Sequence, residues 1–283
     1  MLEREIQAAR MRTYSVSHHN AAETQRKIHR GELSFGLFLD RADPSSEGFG
    51  QLSKTVARTS TLHVNAPDAV SRVTDKATMH LEFLTKGINV PFSIIISPFN
   101  KRREVELSLT DLSKLGRPFI IKPANTTGGG IGVILGAESI KDIIESRQHH
   151  KNDKYLLQEK VQPAALDGKK GWFRIFCVYG LLLPCWWDDS THVYAPVTSE
   201  EIRAYGLRPL LSMTRKIHEV CGLNFFSTEI ARATDGRFVV VDYVNDVCDM
   251  RLQSRCPDGV PDGIVLRICR RIAGFLRSRR KQA

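Results

Sequence analysis

Apolar and polar positions change their spacing several times along this chain, and each change marks an expected element. The polar stretch 12–19 reads as a weak first strand. Residues 21–30 carry helical spacing and stop at Gly31. Residues 33–40 then form an apolar strand that ends in a charged turn, and residues 62–65 form a second short strand closed by Ala66-Pro67. Strands alternating with helices argue for a parallel sheet in this opening segment.

From Thr74 the pattern turns helical: Ala77, Leu81 and Leu84 fall on one stripe, and Gly87 stands as a C-terminal stop. Beyond it the spacing predicts strands at 92–96, 118–122, 131–135 and 155–161, with a helix near 138–146. The last third holds a strand pair around Gly180, a helix at about 209–221 and a hairpin at 225–245. A final amphipathic helix places Ile264, Leu266, Ile268, Ile272, Phe275 and Leu276 near its buried side. The fold class is therefore α+β: a body with antiparallel hairpins, preceded by a short α/β unit over 1–66.

Composition changes this picture little, and charge changes it more. Of 283 residues, 42% are apolar and 25% charged, as in ordinary globular proteins. The 41 Lys and Arg against 31 Asp and Glu give a net charge of +10, which admits nucleic acid, an anionic surface or a phosphorylated ligand as partner. Seven of those basic residues lie within 264–283, which holds no acid, leaving 34 basic against 31 acidic elsewhere. The excess belongs mostly to one terminal helix and its tail, so it is poor support for a nucleic-acid partner. No helix-turn-helix or aromatic-plus-basic RNA pattern accompanies it. The longest nearly apolar run, 178–187, is interrupted by Pro184 and falls short of the roughly 20 residues a membrane helix needs. The start of the chain shows no signal-peptide pattern. Six cysteines without a C-x-x-C pair read as reduced thiols, which points to a cytoplasmic protein rather than to a zinc site or disulfide framework.

The most informative stretch is the hairpin. Asp235-Gly236 between two β-rich runs is a strong turn signal, because a two-residue type I′ loop needs positive φ. Counting outward from that loop sets Thr234 against Arg237 and Glu229 against Asp242. Opposed carboxylates with Cβ atoms about 5 Å apart repel unless one is protonated or a cation lies between them. With Asn245 they offer three hard oxygens, a set that suits Mg²⁺. The plainer reading is a solvated strand face, and a one-residue slip would separate the acids.

Two further features carry candidate chemistry. Lys122 sits inside the apolar run 118–123, where a buried ammonium calls for an anionic partner; a lysine at a strand end with its head in water is the alternative. Asn125-Thr126-Thr127-Gly128-Gly129-Gly130-Ile131-Gly132 follows at once. Its glycines let backbone N–H groups close on phosphate oxygens, although glycine clusters are more often plain turns. It matches neither the P-loop nor the dinucleotide fingerprint.

Taken in order, Val64-Asn65-Ala66-Pro67, Asp75-Lys76, Gly87-Ile88-Asn89-Val90-Pro91, Ile121-Lys122-Pro123, the glycine loop, Leu157-Gln158-Glu159-Lys160-Val161, Phe173-Arg174 and Asp242-Tyr243-Val244-Asn245 resemble the ATP-grasp superfamily, most closely its RimK-like carboxylate–amine ligases. The resemblance covers about 33–250. It implies two α+β lobes that grip ATP, with the domain at 67–263 split into a central lobe of about 74–157 and a C-terminal lobe of about 158–263. Residues 264–283 then form a basic C-terminal helix and tail.

The resemblance also implies roles. Lys76 and Lys122 would contact ATP phosphates, Gly128, Gly129 and Gly130 would belong to a flap over the triphosphate, and Gln158, Glu159, Lys160 and Val161 would read adenine along the backbone. Glu229, Asp242 and Asn245 would hold Mg²⁺, with Mn²⁺ as an alternative. Arg174 matches the family arginine that approaches the transferred phosphoryl group or the acyl phosphate. Arg251, a guanidinium fork able to match a carboxylate, is a candidate substrate clamp or else a surface ion-pair partner. The sequence departs from the family in having Asp242 where glutamate is usual and Asp246-Val247-Cys248 where Pro-Gly often follows.

The implied activity is ATP-dependent joining of a small carboxylate to an amine through an acyl phosphate, with release of ADP and phosphate. Homodimerisation follows from family analogy alone. A kinase acting on a small-molecule hydroxyl and a non-catalytic ATP-binding module are the other readings.

Overall fold

The computed structural model describes residues 1–42, 47–125 and 130–280. The expected contacts Gly128 and Gly129 lie outside the described residues. In chain order the elements begin with α1 (Leu2–Ala8), α2 (Ala21–His29), β1 (Leu37–Leu39), α3 (Glu47–Ala57), β2 (Leu62–Val64) and α4 (Pro67–Thr74). They continue with α5 (Lys76–Thr85), β3 (Ser93–Ile96), α6 (Leu109–Leu115), β4 (Phe119–Pro123), β5 (Ile134–Ala137), α7 (Ile140–Ser146) and β6 (Tyr155–Gln158). The remainder is β7 (Ala165–Leu166), β8 (Lys169–Lys170), β9 (Trp172–Val178), β10 (Leu181–Trp187), β11 (Tyr194–Pro196), α8 (Ser199–Ala204), α9 (Arg208–Cys221), β12 (Phe225–Arg232), β13 (Phe238–Asn245) and α10 (Asp262–Arg280).

Two compact units divide the chain. Unit one comprises Met1–Ser71, Phe173–Thr228 and Asn245–Ala283; unit two comprises Arg72–Trp172 and Glu229–Val244.

In unit two β3, β6, β4 and β5 form an antiparallel sheet in that order. Residues alternate between faces along β4: Phe119 and Ile121 are buried among Leu115, Ala137, Ile143, Tyr155 and Leu157, while Ile120 and Lys122 point the other way. β6 is buried at every position, as a central strand covered on both faces should be. The helices start where side chains take up their orphan N–H groups: Asp75 caps α5, and capping boxes at Ser108/Asp111 and Ser139/Asp142 open α6 and α7.

In unit one β1 and β2 pair in parallel, with Leu37 beside Leu62 and Leu39 beside Val64. β10 lies between β11 and β9, and the first half of β12 flanks β9. α9 buries Leu210, Thr214, Ile217 and Cys221 along one stripe and ends at left-handed Gly222. α10 is a core helix: Ile264, Val265, Ile268, Cys269 and Ile272 pack with Phe176, Val178, Leu183 and Val64.

Several expected elements differ. Residues 12–19 form no strand, and the expected strand at 33–40 shortens to β1. The expected strand at 131–135 shifts to β5, because Gly130 and Gly132 take positive φ and hold the chain in a turn. α3 was not expected. Its buried Leu52 and Val56 lie at helical spacing behind Gly48 and Gly50, residues that weaken a sequence-level helix signal.

Candidate active site

The chemistry in unit two gathers around Lys122. From the outward face of β4 its Nζ donates to the Val241 carbonyl at 2.9 Å. Burial pushes the Lys122 ammonium below the usual lysine range and neighbouring Lys76 pushes the same way, while the Asp242 and Glu229 carboxylates oppose the shift. Lys76, the first residue of α5, reaches Asp242: its Nζ lies 2.7 Å from Oδ1, with the two side chains 14% and 24% exposed. Glu229 is buried, and its Oε2 accepts from Trp172 Nε1 at 3.1 Å. Lys76 and the two acids thus all act on the charge of Lys122.

The hairpin that supplies the acids is one residue out of the expected register. Gly236 N donates to Ala233 O at 2.9 Å and Ala233 N to Arg237 O at 2.7 Å, with Gly236 at φ 85°. That is a three-residue loop, Thr234-Asp235-Gly236, with a bulge at the glycine, rather than a two-residue type I′ turn. Ala233 rather than Thr234 therefore stands opposite Arg237, and counting outward sets Glu229 against Val241. The acids are not directly opposed: by this count Glu229 shares a face with Val241, and Asp242 alternates to the other face of the strand pair. Lys76 is an ion-pair partner of Asp242, and both acids act on Lys122.

Behind Asp242 the next side chain on β13, Tyr243, turns into a buried polar network. Its hydroxyl meets His80 Nδ1 at 2.6 Å and accepts from Gln158 Nε2 at 3.2 Å; Gln158 also donates to Ser93 Oγ at 3.0 Å. Burial pushes the Tyr243 hydroxyl far above its ordinary range and lowers His80. The Gln158 side chain is thereby committed to the core. β6 stops at Gln158, so 159–161 are irregular rather than strand. Glu159 is turned onto Phe92 twice, its N–H donating to the Phe92 carbonyl and its Oε1 accepting from the Phe92 N–H, each at 2.9 Å. Lys160 is exposed and Val161 partly so. Gly130 lies in a turn in which its carbonyl accepts from Val133 N at 3.1 Å.

Unit one holds the other candidates. Arg174 on β9 pairs with Cys185 on β10. Its guanidinium lies 4.6 Å from the Trp187 ring centre, and Nη1 donates to Tyr194 Oη at 3.3 Å. His192 stacks parallel to Trp187. Asn245 closes β13, and its Nδ2 is buried without a hydrogen-bond partner among the described residues. Arg251 is exposed and already paired: Nη2 lies 2.8 Å from Asp249 Oδ2 and Nη1 2.9 Å from Asp258 Oδ2. A substrate carboxylate there would have to displace an acid, so the structure favours the ion-pair reading. Asn65 ties the loop after β2 to β12, donating to Phe225 O at 2.6 Å and Asp246 Oδ1 at 2.7 Å while accepting from Asn224 and Phe225 N–H groups.

Among the described residues no three His, Cys, Asp or Glu side chains are grouped to hold a metal ion. Asp242 and Glu229 each act on Lys122, and either could serve Mg²⁺, which binds through one or two carboxylates together with substrate phosphates. Trp172, His80 and Lys154, whose part is taken up below, were not anticipated. Among the described residues no helix is long and apolar enough to cross a membrane.

No protein-family model matches the sequence, and no curated protein matches it. Solved structures do. A RimK domain ATP-grasp protein from Sphaerobacter thermophilus aligns at TM-score 0.62 and 18% identity, over 97% of this chain and 93% of its own. D-alanine–D-alanine ligase from Bacillus anthracis, complexed with ATP, aligns at 0.60 and 14%, over 90% and 84%. The ATP-grasp ligase PsnB, complexed with minimal precursor, Mg and ADP, aligns at 0.54 and 15%, over 96% and 77%. The chain has the α+β ATP-grasp fold.

Proposed function

We propose that this chain is an ATP- and Mg²⁺-dependent ligase that joins a carboxylate to an amine through an acyl phosphate. The observation that carries the reading is the Lys76–Asp242 pair with Lys122 and Glu229 beside it, set in a fold whose solved examples include two ligases, one complexed with ATP and one with Mg and ADP.

Each residue has a definable task. Lys76 and Lys122 supply positive charge for phosphate oxygens; an incoming anion would oppose the downward shift that burial imposes on Lys122. On the strength of the resemblance Glu229, Asp242 and Asn245 would hold Mg²⁺. The ion, when bound, offsets phosphate charge. The backbone of 160–161 is the part of the expected adenine-reading segment for which no hydrogen bond competes among the described residues. Arg174, its guanidinium steadied by Trp187 and Tyr194, meets negative charge on the transferred group.

In the first step a substrate carboxylate oxygen attacks the γ-phosphorus and the bond to the β-bridging oxygen breaks, giving acyl phosphate and ADP. In the second an amine nitrogen attacks the acyl carbon, the bond to phosphate breaks and the amine proton is lost. The protein's part is positioning and charge neutralisation.

Hydroxylamine trapping tests the reading. Incubated with Mg²⁺, ATP and its carboxylic acid, the protein should yield a hydroxamate in step with ADP. ADP release with the phosphoryl group retained on a substrate hydroxyl would instead support the kinase.

A further inference from the structure

Three segments distant in sequence meet in unit two next to the proposed phosphate lysines. They are the start of α5 at Asp75-Lys76, the residues that leave β4 after Lys122, and the turn between α7 and β6 at Asp153-Lys154. Lys154 Nζ lies 2.5 Å from Asp75 Oδ2. The other oxygen of Asp75 caps α5, accepting from Ala77 N at 2.9 Å and Thr78 N at 3.1 Å. Ala124 joins the segments through its backbone: its N–H donates to Lys154 O at 2.8 Å, and its carbonyl accepts from Lys76 N at 3.0 Å. Buried Asp153 grips the next residue with both carboxylate oxygens, accepting from Asn125 N at 2.9 Å and Asn125 Nδ2 at 2.8 Å.

We propose that the Asp153-Lys154 turn is the positioning element for the phosphate-contacting lysines: Lys154 sets the Lys76 backbone through Asp75, and Asp153 sets the path of the chain after Lys122 through Asn125. The inference rests on the nucleotide reading above and deepens it.

The physical case is one of degrees of freedom. A lysine side chain has four rotatable bonds, so its ammonium is directed as much by where its Cα stands as by its own rotamer. Lys76 stands at the first turn of a helix, where backbone groups lack intrahelical partners and the chain frays. Here that turn is tied on both sides. Asp75 performs two tasks with two oxygens, and the Lys154 contact ties the cap residue to the turn that leads into β6. A charged, two-point grip such as that of Asp153 on Asn125 fixes orientation as well as distance.

The test is equilibrium binding of MgADP, read alongside MgATP turnover, for wild type, Lys154→Met, Lys154→Arg, Lys76→Met and the Lys76→Met/Lys154→Met double variant. Lys154→Met should weaken MgADP binding and raise KM for ATP about tenfold, as expected of a charge displaced by an ångström or so. Lys154→Arg should restore most of the loss. In the Lys76→Met background, Lys154→Met should add less than about twofold, since two residues acting as one unit are non-additive. Additive losses in the double variant would overturn the positioning role, as would unchanged MgADP binding in Lys154→Met. Wild-type protein that binds no MgADP would instead overturn the nucleotide reading itself. Asp153→Ala, with circular dichroism to confirm folding, should weaken binding as Lys154→Met does; a folded Asp153→Ala protein of wild-type affinity would refute the Asn125 arm.

Discussion

Replacing Asp242 by Asn tests the electrostatics of the cluster before any substrate is known. At 2.7 Å and an effective dielectric of about 20, Lys76 and Asp242 attract by about 6 kcal/mol. Most of that is offset by desolvation, because both side chains are three-quarters or more withdrawn from water. A net coupling of about 1–2 kcal/mol should remain, between the values for exposed and buried pairs. The cluster also predicts an asymmetry. Removing the acid leaves Lys76 and Lys122, whose charges already oppose one another, facing each other with less compensation. Removing Lys76 relieves that repulsion while Lys122 still faces Asp242. Asp242→Asn should therefore cost about 2–3 kcal/mol and Lys76→Met about 1 kcal/mol or less. A double-mutant cycle by urea denaturation at neutral pH measures the coupling. A coupling under about 0.3 kcal/mol, or Lys76→Met costing more than Asp242→Asn, would refute the reasoning. Turnover of ATP by Asp242→Asn should fall by about 100–1,000-fold, the scale of losing one pre-set charge.

Three other perturbations follow from the packing. Burial holds His80 below its usual 6.5, so the native state binds fewer protons than the unfolded chain. Stability should then fall as pH drops through about 6.5 toward the lower folded value, by at most about 1.4 kcal/mol per pH unit, and His80→Gln should flatten that slope in urea titrations at pH 8 and 5.5. Ile268→Ala, in a fully buried position of α10, should cost about 2–5 kcal/mol by the same denaturation assay, whereas loss of an exposed arginine from that helix should cost under about 0.5 kcal/mol. Trp172→Phe removes the indole donor to Glu229 and should cost about 0.5–1.5 kcal/mol, with a raised Mg²⁺ requirement for turnover.

Legibility of the site followed how local each determinant is. Lys122 stood out because an ammonium interrupts an apolar run, whereas Asp75-Lys76 entered only through the resemblance; the stripe read for that helix, Ala77, Leu81 and Leu84, leaves both leucines exposed, and α5 buries Ala77, Met79, His80 and Phe83 instead. The Asp235-Gly236 turn was visible too. Asp-Gly serves a type I turn with a glycine bulge as well as a type I′ turn, however, and the two differ by one residue of register. The Ala233–Arg237 hydrogen bond decides between them. Arg251 stayed open between a carboxylate clamp and an ion-pair partner because sequence does not show that the backbone folds Asp249 and Asp258 onto its guanidinium. Lys154, Trp172 and His80 could not be read, because each acquires its role from a partner 57 to 163 positions away. The basic α10 misled in a different way: its arginines set the net charge of the chain, while its apolar stripe builds the core of unit one.

The central claim is tested most directly by following the phosphoryl group. With Mg²⁺, γ-labelled ATP and a panel of carboxylic acids presented with amino acids, the account predicts ADP and labelled inorganic phosphate in equal amounts. Both should appear only when acid and amine are present together and should match a new amide mole for mole. Label retained on an organic product, or no ADP from any acid–amine pair by a protein that binds MgADP, would contradict it.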